Sequence, residues 1–321
     1  MSELRKDYIL DQWVMINEKR GKRPNQLKID SSKDDKIKGK ICFFCPGNEH
    51  MTPPEIGRVE EKGYWIIRWF PNKFSLYSPD ADPRIKNKGI MTYAGGCGYH
   101  EVIAETNDHN KQLWDLSIDH IKEILKVYTL RINELSKKKN VSYVSIFKNH
   151  GEKGGASLRH SHTQLATLQI PPPRVIDEIK ASHNKKKCLY CSIVKKEKKS
   201  KRLVFENKNF IAIAPYASRF NYEVGIFSKK HFKSMHDFDD SQLSDLAHLM
   251  KRILSKLKIL NCSYNYYFHY APKGKDLHFH IEIIPRIEAW AGFEFASGII
   301  VNTISPETAA AFYRKKVKSD S

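Results

Sequence analysis

Two kinds of chemistry-bearing residue recur in this chain at similar spacings. Four of the six cysteines form two Cys-x-x-Cys pairs, Cys42/Cys45 and Cys188/Cys191, while Cys97 and Cys262 stand alone. Each pair is followed by an isolated histidine, His109 or His231, and then by a His-x-His, His160/His162 or His278/His280. Zinc favours four Cys or His ligands in a tetrahedron. The sequence therefore offers Cys42, Cys45, His109 and His160 for one ion, and Cys188, Cys191, His231 and His278 for another. Four ligands leave no open coordination position, so one or two structural zinc ions per chain are expected. A redox role for the pairs lacks a thioredoxin-like βαβ context, and the wide gap between the pairs argues against a single zinc ribbon.

In an extended strand alternate side chains share a face. If His160 binds metal, His162 lies one step further along that face on rigid backbone. An imidazole that is partly unprotonated near neutral pH can attack an α-phosphorus. Gln164 is a further step along, and its amide can donate to a phosphoryl oxygen as charge develops. Gly154, Gly155 and Ser157 precede the strand and could bring backbone N–H groups close to phosphate. In the second copy Glu282 replaces the glutamine, and no second nucleophile is expected.

The intervening segments repeat as well. β-like runs end at Pro71 and Pro215, and further runs cover Glu101–Ala104 and Glu223–Phe227. Apolar residues recur at helical spacing in Ile121, Ile124, Leu125, Tyr128 and Ile132, and in Leu243, Leu246, Leu249, Met250 and Ile253. These predict helices from about Ser117 to Leu135 and from about Asp240 to Leu257, with Ser117 and Asp240 as N-caps. Strands are predicted over Val141–Phe147 and Tyr264–Phe268. The fold class is α+β, a mainly antiparallel sheet flanked by helices, built from two similar halves packed as one unit. The halves are expected at 1–175 and 176–321, divided by Pro171-Pro172-Pro173 and the polar stretch after it.

The 321 residues carry a formal net charge of +19, with 40% hydrophobic residues, which suits a globular protein with a sizeable core. No apolar run reaches the roughly 20 residues a membrane span needs. The charged N-terminus lacks the apolar core of a signal peptide, so a cytoplasmic protein is expected. The excess of lysine suits polyanionic ligands. A zinc-stabilised nucleic-acid-binding protein is the rival reading, but zinc-finger spacing is absent, and that reading leaves Gln164 and the Gly-Gly turn unexplained.

Several segments together resemble the galactose-1-phosphate uridylyltransferase family, a branch of the histidine-triad superfamily. They are Arg20-Gly21-Lys22-Arg23-Pro24, Cys42-Phe43-Phe44-Cys45-Pro46-Gly47-Asn48-Glu49, Phe70-Pro71-Asn72-Lys73-Phe74, Gly98-Tyr99-His100-Glu101-Val102, Gly155-Ala156-Ser157-Leu158 and Gly292-Phe293-Glu294. The resemblance implies ping-pong transfer from a nucleotide-sugar to a hexose 1-phosphate, with His162 as nucleophile and Gln164 as its phosphate-stabilising partner. It implies that Arg20, Arg23, Asn72 and Phe74 surround the nucleotide, and that Asn149, Ser157 and Glu294 meet the phosphate or hexose. It also implies a homodimer whose C-terminal segment completes the partner's site. The His-Ser-His-Thr-Gln version of the motif and the second cysteine pair resemble relatives that act on adenine nucleotides. Transfer from ADP-glucose or a dinucleoside polyphosphate therefore stays open beside transfer from UDP-glucose to galactose 1-phosphate.

Overall fold

A computed structural model describes residues 2–9, 12–17, 41–182 and 187–315. Strands β1 (Glu3–Lys6) and β2 (Trp13–Ile16) open the chain. The first half continues with β3 (Gly57–Glu61), β4 (Tyr64–Pro71), β5 (Lys86–Lys88), β6 (Met91–Gly95) and β7 (His100–Ala104). It closes with α1 (Ile118–Ser136), β8 (Tyr143–His150) and β9 (His162–Leu168). Helix α2 (Pro173–Ser182) follows. The second half holds α3 (Leu189–Glu197), β10 (Leu203–Glu206), β11 (Phe210–Ile213) and β12 (Val224–Ser228). It continues with α4 (Asp240–Leu260), β13 (Tyr264–His269) and β14 (His280–Pro285), then α5 (Gly292–Ser297) and α6 (Pro306–Arg314).

The fold is α+β. Ten strands form one sheet in the order β10-β11-β12-β14-β13-β8-β9-β7-β4-β3, with every neighbouring pair antiparallel. Read inward from either edge, the two sets of five strands follow the same sequence of connections. They meet where β8 pairs with β13, setting Tyr266 opposite Lys148 and Tyr267 opposite Phe147. A smaller sheet, β2-β1-β6-β5, stands apart.

Helices α1 and α4 pack together on one face of the large sheet, where their apolar stripes enter a shared core with Ile103, Ile146, Leu165, Ile226 and Ile281. Fully burying each such side chain contributes about 1.5–3 kcal/mol. Arg131 of α1 makes two 2.8 Å bonds to the carboxylate of Glu101 on β7, which fixes that helix over the first half of the sheet.

Ser117 caps α1 as its sequence suggests, accepting from the N–H of His120. The cap of α4 is Asp239 rather than Asp240, because Asp239 and Gln242 form a reciprocal capping box. The stretch after the prolines is not a plain linker. Pro173 suits a first helical turn, and α2 turns Val175 into the core.

Candidate functional site

The first His-x-His does not lie wholly in a strand. Strand β9 begins at His162, and His160 sits in the preceding turn. The rings of both histidines pack edge-on against Phe44, although the shared strand face expected from sequence does not extend to His160.

Hydrogen bonds fix what each ring nitrogen can do. Nε2 of His160 lies 2.7 Å from the carbonyl oxygen of Thr106. A carbonyl only accepts, so Nε2 carries the proton and Nδ1 keeps a lone pair. That Nδ1 lies 3.6 Å from both Cys42 Sγ and Cys45 Sγ, and His109 Nδ1 lies 3.4 Å from Cys45 Sγ. A tetrahedral zinc with bonds of about 2.3 Å to sulfur and 2.0–2.1 Å to nitrogen sets unlike ligands about 3.5 Å apart. The donor set therefore fits zinc. Burial and the neighbouring Cys42 push the Cys45 thiol up to about 12, a cost that a bound cation reverses.

The second set repeats the pattern. His278 Nε2 lies 2.8 Å from the carbonyl of Ser228, and its Nδ1 lies 3.4 Å from Cys191 Sγ and 3.9 Å from Cys188 Sγ. His231 Nδ1 lies 3.5 Å from Cys191 Sγ, while its Nε2 meets Asp276 at 2.8 Å. Carbonyl and carboxylate partners of this kind orient metal-binding imidazoles. In each set the four ligand atoms lie within 4.8 Å of one another.

His162 is locked in the same way but turned to another use. Its Nδ1 donates to the carbonyl oxygen of His160 at 2.8 Å, which leaves the Nε2 lone pair without a partner among the described residues. Burial, then the charge of Lys148, pushes this ring down to about 4, so it is neutral near pH 7. The ring forms part of the wall of a hollow bounded by Phe43, Phe44, Met51, Phe74 and Leu158 on its apolar side. Asn72, Lys73, Ser157 and Gln164 supply the polar side.

Gln164 is aimed by residues that the motif alone does not reveal. The N–H of Leu76 donates to His100 Nδ1 at 3.0 Å, so His100 Nε2 is the protonated nitrogen. That Nε2 donates to Gln164 Oε1 at 3.0 Å, and Asn72 Nδ2 approaches the same oxygen at 3.4 Å. The glutamine oxygen is thereby occupied and its NH₂ is turned to the hollow. His100 was missing from the sequence-derived site, although it stands in the Gly-Tyr-His-Glu segment that carries the resemblance. Asn72 also accepts from the N–H of Phe74 at 2.9 Å, setting the turn that presents Phe74.

The glycines before β9 shape a tight turn, and Gly155 lines the hollow together with Ser157. Gly155 N–H donates to Glu152 O and Ala156 N–H to Gly151 O, so both donors serve the turn itself. Gly155 has φ +77°, and a Cβ on Gly154 would meet the oxygen of His150 at 2.3 Å. The glycines allow tight backbone here, and Ser157 adds a hydroxyl-bearing residue to the polar side of the hollow.

Asn149 lines an adjoining cleft that shares His162 and Leu158 with the hollow, and its Oδ1 accepts from Asn265 Nδ2 at 2.8 Å. Glu294 is not brought to His162 within the single chain. It sits on the short helix α5, caps the N–H of Ala291, and lines a separate hollow with Arg219 and Trp290. Arg20 and Arg23 lie outside the described residues.

The second His-x-His is closed off. His280 Nδ1 meets the carbonyl of His278 at 2.9 Å, as in the first copy. Its ring, however, is covered by Tyr190 and Phe227, with centroids at 4.9 and 5.4 Å. Arg174 of α2 grips both oxygens of Glu282 at 2.8–2.9 Å, and Arg219 adds a 2.6 Å bond. Glu178, also of α2, reaches His269 at 2.8 Å. Helix α2, in the stretch that follows the prolines, thus places Arg174 and Glu178 against the strands beside His280.

Comparison with known proteins gives this constellation its family. A model described as the N-terminal domain of galactose-1-phosphate uridyl transferase matches residues 1–172. The chain belongs to the galactose-1-phosphate uridyl transferase family. A second model, a domain of unknown function, matches residues 99–318. The chain is 32% identical to an ADP-glucose phosphorylase of Arabidopsis thaliana over 98% of its own length and 92% of that protein. It is 28% identical to a galactose-1-phosphate uridylyltransferase of Thermotoga maritima, covering 98% of each. Among solved structures, a uridylyltransferase superposes with a TM-score of 0.80 at 29% identity, covering 97% of both chains. The Arabidopsis ADP-glucose phosphorylase with bound ADP-glucose superposes with a TM-score of 0.76 at 29% identity, covering 99% of this chain and 100% of that one.

Proposed function

We propose that this family member is a nucleotidyltransferase that moves a uridylyl group from UDP-glucose to a hexose 1-phosphate such as galactose 1-phosphate. The observation that carries the reading is the tautomer of His162, with Nδ1–H held by His160 O and the Nε2 lone pair free beside Gln164. In the first step Nε2 attacks the α-phosphorus of the nucleotide-sugar. The bond from phosphorus to the bridging oxygen breaks, and hexose 1-phosphate leaves with that electron pair. In the second step a phosphate oxygen of the acceptor attacks the same phosphorus, and the electron pair of the P–N bond returns to Nε2. The proton stays on Nδ1 throughout, hydrogen-bonded to His160 O, which stabilises the cationic ring of the intermediate. The Gln164 NH₂ donates to the phosphoryl oxygen as charge builds up.

Phe43, Phe44, Met51 and Phe74 form the apolar surface suited to a base, and Asn72 and Ser157 lie on the polar side of the hollow. Zinc held by Cys42, Cys45, His109 and His160 would cross-link the turn that presents His162. Zinc held by Cys188, Cys191, His231 and His278 would serve the second half in the same way. Division of the chain into nucleophile-bearing residues 1–175 and a second half at 176–321 agrees with the five-plus-five strand order. A homodimer would offer Glu294 to the site of a second copy, since its own site lies elsewhere. The unbonded cysteine pairs suit a cytoplasmic setting; no described helix is long and apolar enough to cross a membrane.

The similarity to the Arabidopsis ADP-glucose phosphorylase favours a second reading, adenylyl transfer from ADP-glucose, with phosphate as acceptor. A donor panel of UDP-glucose and ADP-glucose, each with galactose 1-phosphate or inorganic phosphate, separates the two. Turnover with UDP-glucose and galactose 1-phosphate supports the first. Turnover confined to ADP-glucose and phosphate replaces it with the second.

A further inference from the structure

A buried charged network lies behind the strand that carries His162. Glu105 and Lys148 are 0% and 1% exposed, and they form an ion pair between the end of β7 and strand β8. Lys148 Nζ also donates to Ser161 Oγ and to the carbonyl oxygen of His162, each at 3.0 Å. Glu105 accepts from Ser161 Oγ and Thr163 Oγ1 at 2.6 Å and from the Tyr128 hydroxyl at 2.8 Å. Its own N–H donates to the carbonyl of Ser161 at 3.0 Å. His162 is therefore held twice: its ring by His160 O, and its carbonyl by Lys148.

The second half of the molecule serves as an internal control. Phe147 lies opposite Gln164 on β9, and Tyr267 lies opposite Glu282 on β14. By that register Lys148 corresponds to Phe268, while Ser161 and Thr163 correspond to Phe279 and Ile281. All three counterparts are buried and apolar. By the pairing of β7 with β9 and of β12 with β14, Glu105 corresponds to Ser228, which carries no charge. Behind the covered histidine, the positions that match this network are thus uncharged, and the second half carries its charged groups elsewhere, at Glu282 and beside His269. Apolar residues commonly hold a core at least as well as a buried ion pair of similar volume. Only the half with the open hollow keeps the charged set.

We propose that Lys148, itself held by Glu105, is a positioning residue for His162. Its bond to the His162 carbonyl fixes the peptide from which the ring projects. The ring must keep one line of approach to phosphorus while the P–N bond forms and again while it breaks. Misplacing a reacting group by about 1 Å costs on the order of 10²-fold in rate. The proposal rests on the reading of His162 as the nucleophile.

The test is the double variant Glu105→Gln/Lys148→Met, which removes both charges and leaves no lone buried ion. Nucleotidyl-adduct formation is timed by quenched-flow intact mass with UDP-glucose and ADP-glucose, beside the unaltered protein. Zinc content and Tm are measured on both. The expected result is a folded, zinc-loaded variant with an unchanged half-saturating donor concentration and an adduct rate about 10²-fold lower. An unchanged rate overturns the proposal, as does a change confined to the half-saturating concentration. A variant that fails to fold overturns it too, because the network would then be a requirement of the fold. If the unaltered protein forms no adduct with either donor, the nucleophile reading fails and the positioning role falls with it.

Discussion

The Nδ1 of His162 lies 2.8 Å from the backbone oxygen of His160, whose own ring faces Cys42 and Cys45. One residue thus contributes its side chain to the candidate zinc set and its carbonyl to the tautomer of the nucleophile. The candidate zinc set and the nitrogen proposed to react are carried two residues apart on one stretch of backbone.

Removing the Gln164 amide should slow transfer without emptying the site. Gln164→Leu is expected to lower the rate of adduct formation by about 10²–10³-fold, the range for losing one donor to developing charge. His100→Phe, which frees the glutamine to turn, should give a smaller loss of roughly tenfold. Single-turnover kinetics on both variants checks the order, and an equal or larger effect at His100 would contradict the positioning described for it.

The two candidate zinc sets should be separable by mutation. Cys42→Ser should remove one equivalent of zinc, lower Tm and slow transfer. Cys188→Ser should remove one equivalent and lower Tm while leaving the adduct rate within about threefold, because His280 is covered. Elemental analysis paired with thermal melts reads both, and an unchanged zinc count in Cys42→Ser would rule out the first set.

The pH dependence follows from the burial of His162. Burial and the Lys148 charge hold this ring at about 4, below its ordinary 6.5, so it is already neutral well below neutral pH. Adduct formation should be flat from about pH 5.5 to 8. A rate that falls tenfold per unit below pH 6.5 would contradict this. The sign for stability is opposite to that of a paired histidine: the unfolded ring takes up its proton first, so this group's contribution is present above 6.5 and lost as the pH falls towards 4.

Acid stability should report on the closed second half. Burial alone would raise the Glu282 carboxyl, but Arg219 and Arg174 outweigh it and hold it at about 2. A depressed carboxylate stabilises the fold above its unfolded value near 4.5, and that contribution is lost between 4.5 and 2. The shift corresponds to about 3 kcal/mol. Glu282→Gln should abolish this part of the acid dependence, measured by urea unfolding at pH 6, 4 and 3. Equal acid sensitivity in the variant would show that the arginines do not hold it.

Much of this arrangement was legible in the sequence because it occurs twice. Cys42/Cys45 with His109 and His160, and Cys188/Cys191 with His231 and His278, could be grouped by order alone, and the structure brings each set together. Helices α1 and α4 were visible through their apolar stripes. What was not legible depends on contacts between distant segments. His100 matters only because its protonated nitrogen meets Gln164, and Lys148 only because β8 lies beside β9. Helix α2 was hidden by its polar composition, since its partners Glu282 and His269 lie about a hundred residues further on. Among the described residues Glu294 lines a hollow with Arg219 and Trp290 and not the one at His162, which a resemblance between sequences could not reveal for a single chain.

The most direct measurement is peptide-level mass spectrometry of the protein after incubation with a nucleotide-sugar and no acceptor, alongside His162→Ala. The account predicts one acid-labile nucleotidyl group on His162 in the unaltered protein. It predicts none in the variant, whose fold and zinc content are retained. An adduct on another residue, or full turnover by His162→Ala, would contradict the assignment of His162 as the nucleophile.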